Sequence, residues 1–85
     1  MYTVYVLKSS KNEKRYIGYT SKKALKRLGE HNRGCNKWTR YNKPFTMVHL
    51  EEFSEKSDAI KRENFLKSGQ GRKWLDEHIK NFIPG

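Results

Sequence analysis

The sequence predicts an α/β protein of the α+β type, in which about three helices flank a three-stranded antiparallel sheet. Short runs of β-branched and aromatic residues predict the strands, and apolar residues at helical spacing predict the helices. Their order is strand, strand, helix, strand, helix, helix, which fits an antiparallel sheet with helices packed on it. A chain of 85 residues is long enough for one core. We therefore expect a single domain over residues 1–85.

The first two strands are predicted to form a hairpin. Residues 2–7 alternate β-branched and aromatic side chains, and a second short strand covers residues 15–18. The stretch between them, residues 8–14, is polar and supplies the turn. Two strands joined in this way pair antiparallel.

The position of the turn decides which side chains face each other. A turn centred between Ser10 and Lys11 would place Tyr5 directly opposite Tyr16. In that register both hydroxyl groups project from the same face of the sheet. The sequence thus predicts two neighbouring tyrosines on one sheet surface.

A helix is predicted over residues 22–33. Thr20 or Ser21 supplies its N-terminal cap, and Gly34 supplies its C-terminal stop. One stripe of this helix consists of Leu25, Leu28 and Asn32. Arg27 and His31 are four residues apart and therefore share a helix face beside that stripe.

The segment after this helix is predicted to be a basic and aromatic loop. It covers residues 36–43, where Trp38 and Tyr41 lie among Lys37, Arg40 and Lys43. Pro44 ends the segment.

The second half of the chain predicts one more strand and two more helices. Residues 45–53 have strand composition, and Ser57 begins a helix through residue 68 that Gly69 closes. A last helix is predicted over residues 70–81, with apolar side chains at helical spacing.

The charge of the chain indicates a polyanionic partner. Nineteen Lys and Arg against nine Asp and Glu give a net charge of +10, which suits nucleic acid. The basic residues are not gathered into one amphipathic helix with a bulky apolar face, so membrane binding is disfavoured. We expect a nucleic-acid partner and no membrane association.

Cys35 is the only cysteine, so no internal disulfide can form and a reduced intracellular thiol is the simplest interpretation. A catalytic cysteine is the alternative. The chain opens with no signal-peptide pattern, and its longest apolar run is far shorter than a membrane span. We therefore expect a cytoplasmic protein.

Five residues have the chemistry that phosphodiester cleavage needs: Tyr5, Tyr16, Arg27, His31 and Glu63. A tyrosine hydroxyl relays a proton, a guanidinium holds a phosphate through two parallel hydrogen bonds, and an imidazole titrates near neutrality. Each also has an ordinary explanation, as a strand aromatic, a solvated cation or a partner of the helix dipole. Their occurrence together in a basic chain favours metal-assisted hydrolysis.

Glu63 is the carboxylate that needs a partner. It lies on the apolar stripe of its helix, at helical spacing from Ala59, Ile60 and Leu66. Either it pairs with a cation such as Arg27, or it binds a divalent metal at the edge of the core.

Taken in order, these motifs resemble the GIY-YIG nuclease domain, in particular the small single-domain proteins related to the N-terminal domain of the bacterial excinuclease C subunit. Val4-Tyr5-Val6 stands for the first motif and Tyr16-Ile17-Gly18 for the second. The helix around Arg27 to His31 and the stretch Lys61-Arg62-Glu63 complete the match, which covers nearly the whole chain.

The resemblance implies an endonuclease that hydrolyses DNA or RNA, with a role in DNA repair or processing. It implies a divalent metal, usually magnesium and otherwise manganese, held by Glu63 and water. It also implies that Arg27 stabilises the phosphate charge and that Tyr5 or Tyr16 works with His31 to deprotonate the attacking water. The alternative is a non-catalytic nucleic-acid-binding protein that keeps the fold.

Further basic residues are candidates for contacts with the nucleic-acid backbone. They are Lys22, Lys23, Lys37, Arg40, Arg72 and Lys73. Trp38 is a candidate for stacking on an unpaired base. No base-reading module accompanies the domain, so selectivity would come from a protein partner, a homodimer or the shape of the substrate.

Overall fold

A computed structural model describes residues 1–21 and 23–79. In chain order the elements are β1 (Tyr2–Ser9), β2 (Arg15–Thr20), α1 (Ala24–Asn32), α2 (Lys37–Asn42), β3 (Phe45–Phe53), α3 (Lys56–Lys67) and α4 (Gly69–Ile79). The three strands form one antiparallel sheet in the order β2-β1-β3. The predicted α+β fold is confirmed, with four helices across the described ranges where about three were expected.

The register of the hairpin differs from the predicted one. Tyr5 pairs with Gly18 rather than with Tyr16. The turn lies further along the chain, because β1 continues to Ser9, whose backbone N–H donates to the carbonyl oxygen of Lys14. The shift is two residues, and side chains alternate with a period of two, so Tyr5 and Tyr16 still share one face of the sheet.

The two faces of the sheet carry separate apolar clusters. On one face Val4 and Val6 pack against α3 and α4, and we call this the core face. On the other face Tyr5, Leu7 and Phe45 pack against α1 and α2, and we call this the site face. Because β1 is the central strand, its side chains are buried on both faces.

The start of α1 was predicted incorrectly. Thr20 belongs to β2, where it pairs with Thr3, so neither Thr20 nor Ser21 caps the helix. Lys23 is the N-cap residue, and its side chain makes no capping hydrogen bond. The predicted stop at Gly34 is confirmed, since this residue has a φ of 76°, which glycine adopts without strain.

The predicted loop over residues 36–43 contains the helix α2 instead. Asn36 accepts a hydrogen bond from the backbone N–H of Thr39 at 2.9 Å, and the Thr39 hydroxyl accepts one from the backbone N–H of Asn36 at 3.1 Å. This reciprocal capping box satisfies N–H groups at the helix start. The Asn-x-x-Thr spacing could have predicted this helix start, but the basic and aromatic composition of the segment favoured a loop.

The third strand, predicted over residues 45–53, is confirmed. The helix after it begins at Lys56, one residue before the predicted start at Ser57. Gly69 does not close that helix but begins the next one. Residues 80–85, including the predicted end of the last helix, lie outside the described residues.

The turn between α3 and α4 depends on a close approach of two backbones. A Cβ atom at Gly71 would lie 1.9 Å from the carbonyl oxygen of Phe65. The Ser68 hydroxyl accepts a hydrogen bond from the Gly71 N–H at 3.2 Å, which satisfies a donor in the first turn of α4. Within residues 1–21 and 23–79, no helix combines the length and the apolarity needed to cross a bilayer.

Candidate active site

The centre of the candidate site is the hydroxyl group of Tyr5 on the site face. Tyr5 Oη lies 2.9 Å from His31 Nε2 and 3.3 Å from Arg27 Nε. The Tyr5 side chain is 1 % exposed and that of His31 is 0 % exposed. These three predicted residues therefore form one hydrogen-bonded cluster inside the protein.

The local structure explains how the cluster forms. Arg27 and His31 lie one turn apart on α1, which packs over the site face. Gly18 lies opposite Tyr5 on β2, and a Cβ atom there would lie 2.6 Å from Tyr5 Oη. The glycine of the second motif thus leaves the space that the tyrosine of the first motif occupies.

The direction of each hydrogen bond follows from the donors. The Nε atom of an arginine can only donate, so Tyr5 Oη accepts from Arg27. The hydroxyl hydrogen of Tyr5 is then available for a hydrogen bond to His31 Nε2, which accepts it in the neutral tautomer that carries its hydrogen on Nδ1. The Tyr5 hydroxyl is therefore hydrogen-bonded to the permanently charged guanidinium of Arg27 on one side and to the imidazole of His31 on the other.

Burial keeps His31 neutral. Together with the nearby charge of Arg27, it lowers the pKa of His31 to about 4, while Glu30 acts in the opposite direction. The expectations that His31 titrates near neutrality and that its charge interacts with the helix dipole are wrong for this reason. At pH 7 the neutral ring can therefore accept a hydrogen bond from the Tyr5 hydroxyl.

Burial also raises the pKa of Tyr5, and the hydrogen bond from Arg27 opposes this only in part. The pKa of Arg27 is raised, chiefly by its hydrogen bond to Tyr5. Arg27 Nη1 donates to Glu30 Oε2 at 2.8 Å. Arg27 is therefore held by two partners and does not lie free on a solvated helix face.

Tyr16 adds the fourth predicted residue. Its ring centroid lies 4.5 Å from that of His31 and 6.4 Å from that of Tyr5. On its other side, Trp38 packs at 5.3 Å. Tyr16 lies on the edge strand β2 and is half-buried, so it connects the closed cluster with the surface.

A groove of about 870 Å³ runs along this edge of the sheet. We call it the β2-edge groove, and it is lined by Glu13, Lys14, Arg15, Tyr16, Ile17, Trp38, Lys67 and Arg72. Four of these residues are basic and one is acidic, so the groove has an excess of positive charge. A groove with aromatic and basic walls suits a nucleic-acid strand.

Glu63 is on the helix that packs on the opposite side of the sheet, and it is not among the residues that line the groove. Its helix, α3, packs on the core face through Ala59 and Leu66. Glu63 Oε1 lies 3.5 Å from Lys67 Nζ, and Lys67 lines the β2-edge groove. The predicted cation partner therefore exists, but it is Lys67 and not Arg27, because α1 and α3 lie on different faces.

The residues around Glu63 determine which metal could bind. In the parts of the chain that the structure describes, no three His, Cys, Asp or Glu side chains are grouped to hold an ion. A single carboxylate completed by water and phosphate oxygens is nevertheless a normal setting for Mg²⁺. The Glu63 side chain is 13 % exposed and Lys67 is 52 % exposed, so the lysine can move aside and the donor set fits.

The predicted nucleic-acid contacts divide into groups. Trp38 and Arg72 line the groove. Lys23, Lys37, Arg40 and Lys73 are exposed elsewhere, and Lys22 lies outside the described residues. The prediction missed the other basic groove residues, Lys14, Arg15 and Lys67. Lys14 and Arg15 flank the start of the second motif, which was the available signal, whereas Lys67 is identified only by the packing of α3 beside β2.

Comparison with known proteins shows the family of the chain. The model of the GIY-YIG catalytic domain matches residues 1–76. The chain belongs to the GIY-YIG family. The matched range includes Tyr5 and Tyr16, and the GIY-YIG domain occupies nearly all of the described structure.

Several similar proteins bear the name UPF0213 protein. A UPF0213 protein of Halobacterium salinarum is 41% identical over 68 residues, which cover 79% of this chain and 86% of that protein. One from Clostridium perfringens is 42% identical over 65 residues, covering 75% and 68%. The solution NMR structure of a UPF0213 protein from Bacillus halodurans has a TM-score of 0.54 at 30% identity and covers 91% of this chain and 84% of that one.

Proposed function

We propose that this GIY-YIG domain is a metal-dependent endonuclease that hydrolyses phosphodiester bonds of DNA or RNA, in cytoplasmic repair or processing. The observation that carries the proposal is the hydrogen-bonded cluster of the buried Tyr5 and His31 with the half-buried Arg27, beside a basic groove that Tyr16 lines. Tyr16 connects this cluster to the groove, because its ring packs against that of His31 and also lines the groove.

Arg27 is proposed to stabilise the charge of the scissile phosphate. A guanidinium has five N–H donors, and those to Tyr5 and Glu30 use two of them. The remaining donors are available for phosphate oxygens. The partners hold the guanidinium in place before substrate arrives, which favours stabilisation of the transition state.

The two tyrosines are proposed to have different roles. The hydroxyl of Tyr5 is bonded on both sides and is buried, so it positions Arg27 and His31. Tyr16 lines the groove and, in its phenolate form, is therefore the better candidate to accept the proton of the attacking water. His31 is neutral at pH 7 and supplies the acceptor for a proton within the cluster.

Glu63 would hold a divalent cation, together with water and phosphate oxygens. When bound, the cation would supply positive charge that stabilises the pentacovalent phosphate. Lys67 would then leave Glu63 and contact the phosphate backbone instead. Magnesium is the first choice because the site offers one carboxylate and no nitrogen or sulfur ligand.

The alternative is a nucleic-acid-binding protein without catalysis. One observation favours it: Glu63 is already paired with Lys67, on the helix that packs on the opposite sheet face. In that case the groove would bind nucleic acid, and the five polar residues would contribute only to stability. Selectivity in either case would come from a protein partner, a homodimer or the substrate shape.

The test is cleavage of labelled single strands, duplex, flap and branched DNA and structured RNA, with Mg²⁺, Mn²⁺ or EDTA. The variants are Glu63→Ala, Tyr16→Phe and Arg27→Gln, with Glu52→Ala as the matched control because Glu52 is an exposed carboxylate on β3. The nuclease requires metal-dependent cleavage that the three variants lose and the control keeps. Salt-sensitive binding without cleavage by the wild type would support the binding protein.

A further inference from the structure

The second ring nitrogen of His31 contacts a residue that the proposed mechanism does not use. When Nε2 accepts a hydrogen bond from the Tyr5 hydroxyl, the neutral ring carries its own hydrogen on Nδ1. That nitrogen lies 3.6 Å from the Sγ atom of Cys35. The ring is fully buried, so its N–H needs an acceptor inside the protein.

The contact continues into α2. Cys35 Sγ lies 3.9 Å from Thr39 Oγ1, and the Thr39 hydroxyl lies 3.0 Å from the carbonyl oxygen of Asn36. Each group can donate to the next, from His31 through Cys35 and Thr39 to this carbonyl. The capping box that holds Thr39 therefore also fixes the last part of this chain of hydrogen bonds.

We propose that Cys35 is a positioning residue that holds His31 with its hydrogen on Nδ1 and so keeps Nε2 open to the Tyr5 proton. Without this acceptor, the tautomer with the hydrogen on Nε2 would be the more stable form of the buried ring. His31 Nε2 would then be a donor, like Arg27 Nε, and the Tyr5 hydroxyl would lose the acceptor for its own hydrogen. The role of Cys35 in cleavage rests on the proposed nuclease function, whereas the tautomer is a property of the folded protein alone.

This role differs from that of a catalytic nucleophile. The sulfur contacts a ring nitrogen and a hydroxyl. It needs to accept a hydrogen bond, which an oxygen also does. Serine at this position should therefore preserve the function, and alanine should not.

The experiment uses the full chain labelled with ¹⁵N-histidine, as wild type, Cys35→Ala and Cys35→Ser. We expect the NMR spectrum of the wild type to show His31 protonated on Nδ1, Cys35→Ala to shift the population towards Nε2, and Cys35→Ser to restore it. In the cleavage test, Cys35→Ala should lower the rate roughly 2- to 10-fold, as expected for one neutral hydrogen bond. Cys35→Ser should recover it, with nucleic-acid affinity unchanged throughout.

Two results would overturn the inference: a wild-type His31 protonated on Nε2, or an unchanged tautomer in folded Cys35→Ala. If Cys35→Ala fails to fold, the tautomers of the wild type and of Cys35→Ser still decide the question. A tautomer shift in a protein that cleaves nothing would support the role of Cys35 in the fold and reject the nuclease function, so the two proposals fail separately.

Discussion

At the scale of the residue, the Tyr5 hydroxyl is the most constrained group of the site. It accepts from Arg27, donates to His31 and lies in the central strand under α1. Such a group contributes to stability as well as to any catalysis, because removing it leaves a buried acceptor without a donor. Experiments on Tyr5 therefore need a stability measurement beside each activity measurement.

Tyr5→Phe should lower the free energy of unfolding by about 1–3 kcal/mol, because His31 Nε2 would remain buried without its donor. Urea denaturation measures this change. Tyr41→Phe is the matched control, since Tyr41 is 63% exposed, and it should change little. Equal stability of the two variants would show that the Tyr5–His31 hydrogen bond contributes nothing to the fold.

His31 should make stability depend on pH. Its pKa is about 4 in the folded protein against an ordinary 6.5, so the unfolded chain binds more protons between these values. Stability is then complete above about pH 6.5 and falls as the pH drops towards 4, by at most about 1.4 kcal/mol per pH unit. His31→Gln should remove this slope from denaturation curves at pH 4.5, 5.5 and 6.5. The exposed control His78→Gln should keep it, and a slope that survives in His31→Gln would assign the effect to another group.

At the scale of the element, two glycines allow close packing that no other residue permits. Gly18 gives β2 the space that the Tyr5 ring fills, and Gly71 lets α4 start against the end of α3. The neighbour of Gly18 is a side chain, while the neighbour of Gly71 is backbone. A side chain can rotate and a backbone cannot, so the second site is the stricter one.

Gly71→Ala should therefore destabilise the protein by about 1–3 kcal/mol, the usual cost of forcing extra atoms into a packed site. The new Cβ would meet the carbonyl oxygen of Phe65 at 1.9 Å. Gly69→Ala is the matched control two residues away, with nothing within 4 Å of its added carbon, and it should be neutral or slightly stabilising. Thermal unfolding of both variants provides the comparison, and similar midpoints would contradict the packing argument.

At the scale of the whole molecule, the chain has a net charge of +10. This charge can bind a polyanion only where the fold places several basic residues close together. The β2-edge groove brings together basic residues from the hairpin, α3 and α4. Arg15 already pairs with Asp76 at 2.5 Å, whereas the exposed Lys67 is held less closely, at 3.5 Å from Glu63. Lys14, Lys67 and Arg72 are therefore the cations most available for phosphates. Their convergence beside Tyr16 connects the charge of the chain with the candidate site.

Binding to a single-stranded oligonucleotide should weaken as salt rises, because each neutralised phosphate releases counterions. Lys67→Gln should lower the slope of log K against log salt by roughly 0.7, the value for one contact on a single strand. Lys61→Gln is the matched control, since it removes the same charge from the same helix outside the groove. Equal slopes for the two variants would indicate that the nucleic acid binds outside the β2-edge groove.

The sequence by itself determined the α+β class, the extent of β3, the stop at Gly34 and the shared face of the two tyrosines. Each of these follows from local patterns: alternation along a strand, a glycine after a helix, and a side-chain period that tolerates a two-residue shift. Only the tertiary structure decided that Glu63 pairs with Lys67, because the separation of α1 and α3 onto opposite faces is a long-range property. It likewise decided that His31 is neutral, since burial depends on what α1 packs against and not on the sequence around the histidine.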